Sequence, residues 1–212
     1  MTLQLSLILG IFAALLMFSG DMLLYFTAGS YRPDGTLEPV ISIMKRLPDR
    51  RLMLGGLIGP CASFFYCLGF YHITLMVPGQ YRTGAFCITL LCSMGMIISG
   101  AYHSQCTYLG LIGKTDCRDG MEKVIRNLRL LSGISFLFLA AGLLFLSIGI
   151  LSGMTCYPRY LFLFSPLVLY FLKYLWVKIP QPFLIVVYGG WYNLMFAVYF
   201  LAALLFSFRL QA

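Results

Sequence analysis

LQLSLILGIFAALLMFSGDMLLYFT, residues 3–27, decides what kind of protein this is. The run exceeds the roughly 20 apolar residues with which a helix crosses a bilayer core, and a single acidic residue, Asp21, stands inside it. A charged side chain at that depth costs on the order of 2.5–3.5 kcal/mol on insertion scales, so it faces a protein interior, a partner or a water-filled cavity. No other long hydrophobic run in the chain holds an acidic residue. Asp21 is therefore the first candidate functional residue.

Five further apolar runs follow, near 52–78, 84–104, 129–152, 158–177 and 183–208. Hydrophobic residues make up 60% of the chain and charged residues 10%, against about half and about a quarter in soluble domains. The expected fold is all-α: a polytopic six-transmembrane-helix bundle forming one domain over 1–212. No connection is long enough for a second domain, and no Pro/Ser-rich linker interrupts the spans. The first span has no Lys or Arg ahead of it and reads as a retained helix rather than a cleaved signal peptide.

Charge supplies the expected orientation. Arg32, Lys45, Arg46, Arg50 and Arg51 follow the first span; Lys114, Arg118, Lys123, Arg126 and Arg129 follow the third; Lys173 and Lys178 edge the connection after the fifth. These are twelve of the fifteen basic residues, and only Arg82, Arg159 and Arg209 fall on the other side. The positive-inside rule puts the basic loops in the cytoplasm and both termini on the non-cytoplasmic side of an integral membrane protein. The net charge of +8 thus reads as a topology signal and an attraction to anionic headgroups. No aromatic-interleaved basic tract points to nucleic acid as a partner.

Of seven cysteines, Cys61, Cys67, Cys87 and Cys92 lie in spans, Cys106 and Cys117 fall on the cytoplasmic side, and Cys156 alone faces outside, so no disulfide framework is indicated. After the turn chemistry of Tyr31-Arg32-Pro33-Asp34-Gly35, residues 39–46 set Val40, Ile41, Ile43 and Met44 against Lys45 and Arg46. This is a short amphipathic helix that either seals the bundle or lies in the interface. Gly113-Lys114-Thr115 is not a phosphate loop, because Tyr108 stands where the first glycine is required. Met121, Val124, Ile125 and Leu128 recur at helical spacing and extend the fourth span. Glycines such as Gly55, Gly59, Gly95, Gly100, Gly189 and Gly190 give the spans notches for close helix packing.

Depth and spacing sort the polar residues. Asp21 and Tyr25, four apart, share a face at the inner end of the first span; His103, four after Ser99, lies at the inner end of the third; Lys173 lies near the inner end of the fifth. Tyr188, Trp191 and Asn193 occupy the inner half of the sixth. His72, at the outer end of the second span, is separated from all of these. Convergence of the inner residues would make a cavity with Asp21 and His103 as catalytic candidates and Tyr25, Lys173, Tyr188, Trp191 and Asn193 as ligand-binding candidates. Each has a plainer role: Asp21 as an interhelical tie, Lys173 as a snorkelling lysine, His103 as a solvated end, Asn193 as a helix–helix hydrogen bond, and Tyr188 and Trp191 as belt or packing residues. His103, Cys106, Cys117 and Asp119 match no compact zinc module, and no His-Glu-x-x-His or Gly-x-Ser-x-Gly occurs. No metal, cofactor or hydrolase chemistry is expected.

Gly20-Asp21-Met22-Leu23-Leu24-Tyr25-Phe26, followed by Arg32 and Asp34-Gly35, resembles a short segment of the EXPERA superfamily, which includes emopamil-binding-protein-like sterol isomerases. Trp191 and Asn193 in an aromatic-rich last span are similar in kind to the polar residues of that family's intramembrane sterol cavity. That family has four or five helices with the segment late in the chain, whereas here it lies in the first of six. The resemblance implies a lipid- or sterol-like ligand and does not carry isomerase catalysis across. Three functions follow as expectations: a cytoplasm-facing cavity for a membrane lipid or other hydrophobic small molecule, in either a binding protein or a small lipid-modifying enzyme; a small proton-coupled transporter; or a structural or regulatory subunit.

Overall fold

Thr2 opens the first helix, its hydroxyl oxygen accepting the Leu5 amide at 3.3 Å, a side-chain cap that satisfies one of the free donors of a helix start. The structure, a computed structural model, describes residues 1–29, 31–115 and 117–209. Helix α1 spans Leu3–Tyr25, and a short α2 covers Glu38–Met44. Then come α3 (Asp49–Phe70), its continuation α4 (His72–Leu75), α5 (Arg82–Gly113) and α6 (Arg118–Leu151). Two short pieces, α7 (Pro166–Tyr170) and α8 (Lys173–Trp176), precede the last helix, α9 (Gly190–Arg209). No strand occurs among the described residues.

Five helical stretches are long and apolar enough to cross a membrane: Leu3–Tyr25, Asp49–Leu75, Gly79–Gly113, Arg118–Leu151 and Ile185–Phe208. The expected span at 158–177 takes another form. It is broken into a 3₁₀ segment, Arg159–Phe164, followed by α7 and α8. The cause is local. Pro166 lacks an amide hydrogen and clashes with a preceding turn, and Ser165 leaves the helical region (φ −57°, ψ 138°) to cap α7. Helix α6 starts at Arg118, so the apolar spacing of 121–128 does extend the fourth span.

Successive segments run in opposite directions. Gly10 of α1 lies against Gly69 of α3, where an added Cβ would come 2.6 Å from the Gly10 Cα, so these two backbones touch as small-residue notches allow. Helix α1 sits between α3 and α9; α3 packs on α5, and α5 on α6. The broken stretch closes the ring, packing on α6 on one side and α9 on the other. It enters near Met76, whose carbonyl accepts the Cys156 amide at 2.8 Å, and reaches the opposite end at Gln181, whose side-chain amide donates to the Tyr31 carbonyl.

We call the end holding the 26–51 connection the basic end and the other, where α1 begins and α9 finishes, the terminal end. The terminal half is filled by Tyr66, Phe70, Phe196 and Phe200, whose rings meet at centroid distances of 5.5–6.5 Å. At the basic end α2 buries Ile41 and Met44 against Leu52 and Leu109, so it seals the bundle. Outward-facing Leu57, Phe64 and Leu137 are each more than 60% exposed. Such an apolar exterior suits lipid rather than water.

Candidate ligand cavity

Between the aromatic cluster and the basic end, the ring of segments encloses a cavity of about 510 Å³, within the roughly 300–1,000 Å³ of small-molecule sites. Its apolar wall includes Met17, Met96, Leu139, Leu143, Leu167 and Phe196. Asp21, Tyr25, His103, Lys173, Tyr188 and Asn193, six of the seven residues singled out from sequence, line it as well. Helices α1, α5 and α9 converge there because each carries its polar residue on the face turned into the ring.

A chain of hydrogen bonds fixes the carboxylate. The Tyr66 hydroxyl donates to Asn193 Oδ1 at 3.0 Å, and Asn193 Nδ2 donates to Asp21 Oδ2 at 2.7 Å. Tyr66 thereby sets which way the amide points and leaves its NH₂ for Asp21. The other carboxylate oxygen, Oδ1, stands 3.9 Å from His103 Nε2, too far for a hydrogen bond. The imidazole is 6% exposed, and its Nε2 is buried with no hydrogen-bond partner. Buried polar atoms in native proteins are nearly always paired. A single oxygen atom could lie about 2.8 Å from both facing atoms, the usual O–H···O distance.

Gly20 makes this placement possible, since a Cβ there would come within 2.8 Å of His103 Nε2. Tyr25 turns its hydroxyl to the Gly189 carbonyl at 2.9 Å. That carbonyl belongs to a π-helical turn, Ile185–Gly189, just before α9; such turns recur at functional sites. The notch expected at Gly189 and Gly190 is filled by α1: added Cβ atoms would meet Tyr25 at 2.8 Å and Phe18 at 2.3 Å. At the cavity's basic end the Lys173 ammonium lies over two phenol rings, 4.6 Å from the Tyr188 centroid and 4.3 Å from that of Tyr192. Burial pushes the Tyr31 phenol, on the connection after α1, up to about 12, so it lines the cavity as a neutral group.

Trp191 is placed elsewhere. Its indole donates to the Leu169 carbonyl at 2.9 Å and meets Trp176 edge-on at 5.1 Å, fastening α7 and α8 to α9 outside the cavity lining. The reason is angular: Trp191 lies two residues before Asn193, so the two point to different sides of α9. His72 is separated from the cavity by the aromatic cluster and bonds the Gly69 carbonyl and the Tyr199 hydroxyl at 2.7 and 3.1 Å. Tyr66 and Tyr192 escaped the sequence reading. Tyr192 carried a signal, four residues after Tyr188 on one face; Tyr66 carried none, being one aromatic among many. Among the described residues, no three His, Cys, Asp or Glu side chains gather as a metal site would require.

A family model described as "Family of unknown function (DUF6796)" matches residues 1–209, and the chain belongs to that family. No curated protein and no solved structure matches it.

Proposed function

We propose that this DUF6796 protein binds a lipid- or sterol-like amphiphile inside the membrane, with a hydroxyl of the ligand seated between Asp21 and His103. The observation that carries this reading is the facing pair itself: Asp21 Oδ1 and the unpartnered His103 Nε2, 3.9 Å apart on the wall of a largely apolar cavity. A hydroxyl both donates and accepts, so one group satisfies the carboxylate and the imidazole together. The apolar wall takes the hydrocarbon, and the EXPERA resemblance around Gly20–Phe26 leans the same way. The pair is also placed to pass a proton to or from that hydroxyl, since both groups stand within hydrogen-bond reach of one oxygen between them.

Orientation belongs to the same reading. The broken 159–176 stretch serves as a sixth crossing, both termini are non-cytoplasmic, and the cavity opens toward the cytoplasmic leaflet. Charge supports this, with Arg32, Lys45, Arg46, Arg50, Lys114 and Arg118 gathered at one end.

The test is lipid retention. Native mass spectrometry of purified wild-type protein is expected to reveal a hydroxyl-bearing amphiphile, retained at least about tenfold less by Asp21→Asn. That factor corresponds to losing one hydrogen bond to a charged group. Equal retention by the two proteins sinks the reading. A structural role for Asp21 has its own support, since the Tyr66–Asn193–Asp21 chain ties α3, α9 and α1 together; it calls for lower thermal stability of Asp21→Asn and no amphiphile in either protein. Proton-coupled transport is less well supported. Packed Tyr66, Phe70, Phe196 and Phe200 stand between Asp21 and His72, where a polar route would have to run.

A further inference from the structure

We infer that the amphiphile is acidic, and that Lys173 seats its oxyanion at the basic end of the cavity. This rests on the reading of the cavity as an amphiphile site and names the ligand class. The half-buried ammonium lies over the rings of Tyr188 and Tyr192 at 4.6 and 4.3 Å. Ring faces attract a cation but accept few of its three N–H donors. Among the described residues, Lys173 makes no hydrogen bond to a protein acceptor, and no carboxylate lies within 4.0 Å of it. A cation on an apolar wall without a counter-charge is costly. An anionic group of the ligand would supply that charge.

Lys45 and Lys178, also outside any ion pair among the described residues, are exposed, whereas Lys173 is half-buried on the cavity wall. Lys114 and Lys123, by contrast, are each paired to a carboxylate, Asp49 and Asp119. The chain's one deep carboxylate, Asp21, is engaged by Asn193 instead. Tyr192, beneath the ammonium, and Asn193, which holds Asp21, belong to one turn of α9 and both line the cavity, so the anion pole and the hydroxyl pole share one chamber. The pole sits at the end where basic residues gather, whose positive field favours an anionic group there. A single-chain lipid with a phosphate and a hydroxyl carries one group for each pole and a tail for the wall of Leu139, Leu143 and Leu167.

Binding of oleoyl lysophosphatidate and of monooleoylglycerol to the purified protein in neutral detergent tests this, because the two share an acyl chain and glycerol hydroxyls and differ in the phosphate. Wild type is expected to prefer the phosphate lipid at least about tenfold. The preference should fall to within about twofold of unity in Lys173→Gln and persist in Lys173→Arg. Millimolar glycerol 3-phosphate or inorganic phosphate should not displace the lipid. A wild-type preference below about twofold, or one that survives intact in Lys173→Gln, overturns the acidic class and leaves the cavity reading standing. Displacement by glycerol 3-phosphate at comparable affinity overturns it in favour of a free phosphate. If wild type binds neither lipid, the acidic single-chain class is overturned, and the cavity reading stands or falls on the retention test.

Discussion

Asp21 is held by a neighbour that is itself held: Tyr66 fixes the Asn193 amide, and the amide fixes one carboxylate oxygen. Tyr66→Phe leaves Asn193 Oδ1 buried without its donor. The expected loss of stability is about 1 kcal/mol, between the ~0.6 kcal/mol typical of interhelical bonds in membranes and the ~1–3 kcal/mol of an unsatisfied buried group. Thermal unfolding in detergent measures it, and an unchanged midpoint would show that the bond fixes orientation only. Gly20→Ala acts from the other side, pressing a methyl to 2.8 Å of His103 Nε2 and 3.0 Å of Ile58. Overpacking of this kind costs about 1–3 kcal/mol, and displacement of the imidazole should lower amphiphile retention severalfold. Gly84→Ala, with no atom within 4 Å of the added methyl, is the control: it should leave retention unchanged and, as a glycine replaced within a helix, should not lower stability. Asp21 and His103 were legible as candidates because ionisable groups in apolar runs are costly, and Tyr25 because it lies four residues from Asp21 on the same face. Tyr66 was not, since a tyrosine in a span carries no comparable cost until its hydroxyl is known to be buried.

Helix α1 ends at Tyr25, just beyond Asp21, and α3 supplies its cap. Arg51 donates from Nε to the Leu23 carbonyl at 2.8 Å, and from one terminal nitrogen to Met22 and Phe26 at 3.0 and 2.9 Å. A cation over the last carbonyls also meets the negative end of the helix dipole. Arg51→Met should therefore cost about 1–3 kcal/mol and speed hydrogen exchange at the amides of 22–26. Exchange confined to its wild-type rate there would mean that packing, not the cap, holds the helix end. The broken 159–176 stretch shows where periodicity runs out as a guide. Its residues are as apolar as a span, yet Pro166 and the cap at Ser165 divide it. Division lets α7 and α8 turn Lys173 toward Tyr188 and Tyr192 while Trp176 meets Trp191.

For the whole molecule, charge distribution yields a direct test of sidedness. Cys117 and Cys156 are both exposed and lie at opposite ends of α6, before Arg118 and after Leu151. In variants keeping one cysteine each, a membrane-impermeant maleimide added to intact cells should label Cys156 and not Cys117, with the reverse in inside-out vesicles. Labelling of both from one side would contradict the proposed orientation. By itself the sequence determined that this is an all-helical membrane protein and that its polar residues divide between two depths, because hydrophobic length and burial cost are written in composition and spacing. Only the tertiary structure decided which of those residues meet. Asn193 and Trp191 are two positions apart on α9, yet one holds Asp21 and the other fastens α7. Helical rotation turns near neighbours to different sides, and only packing against α1, α3 and α5 determines which side becomes the cavity.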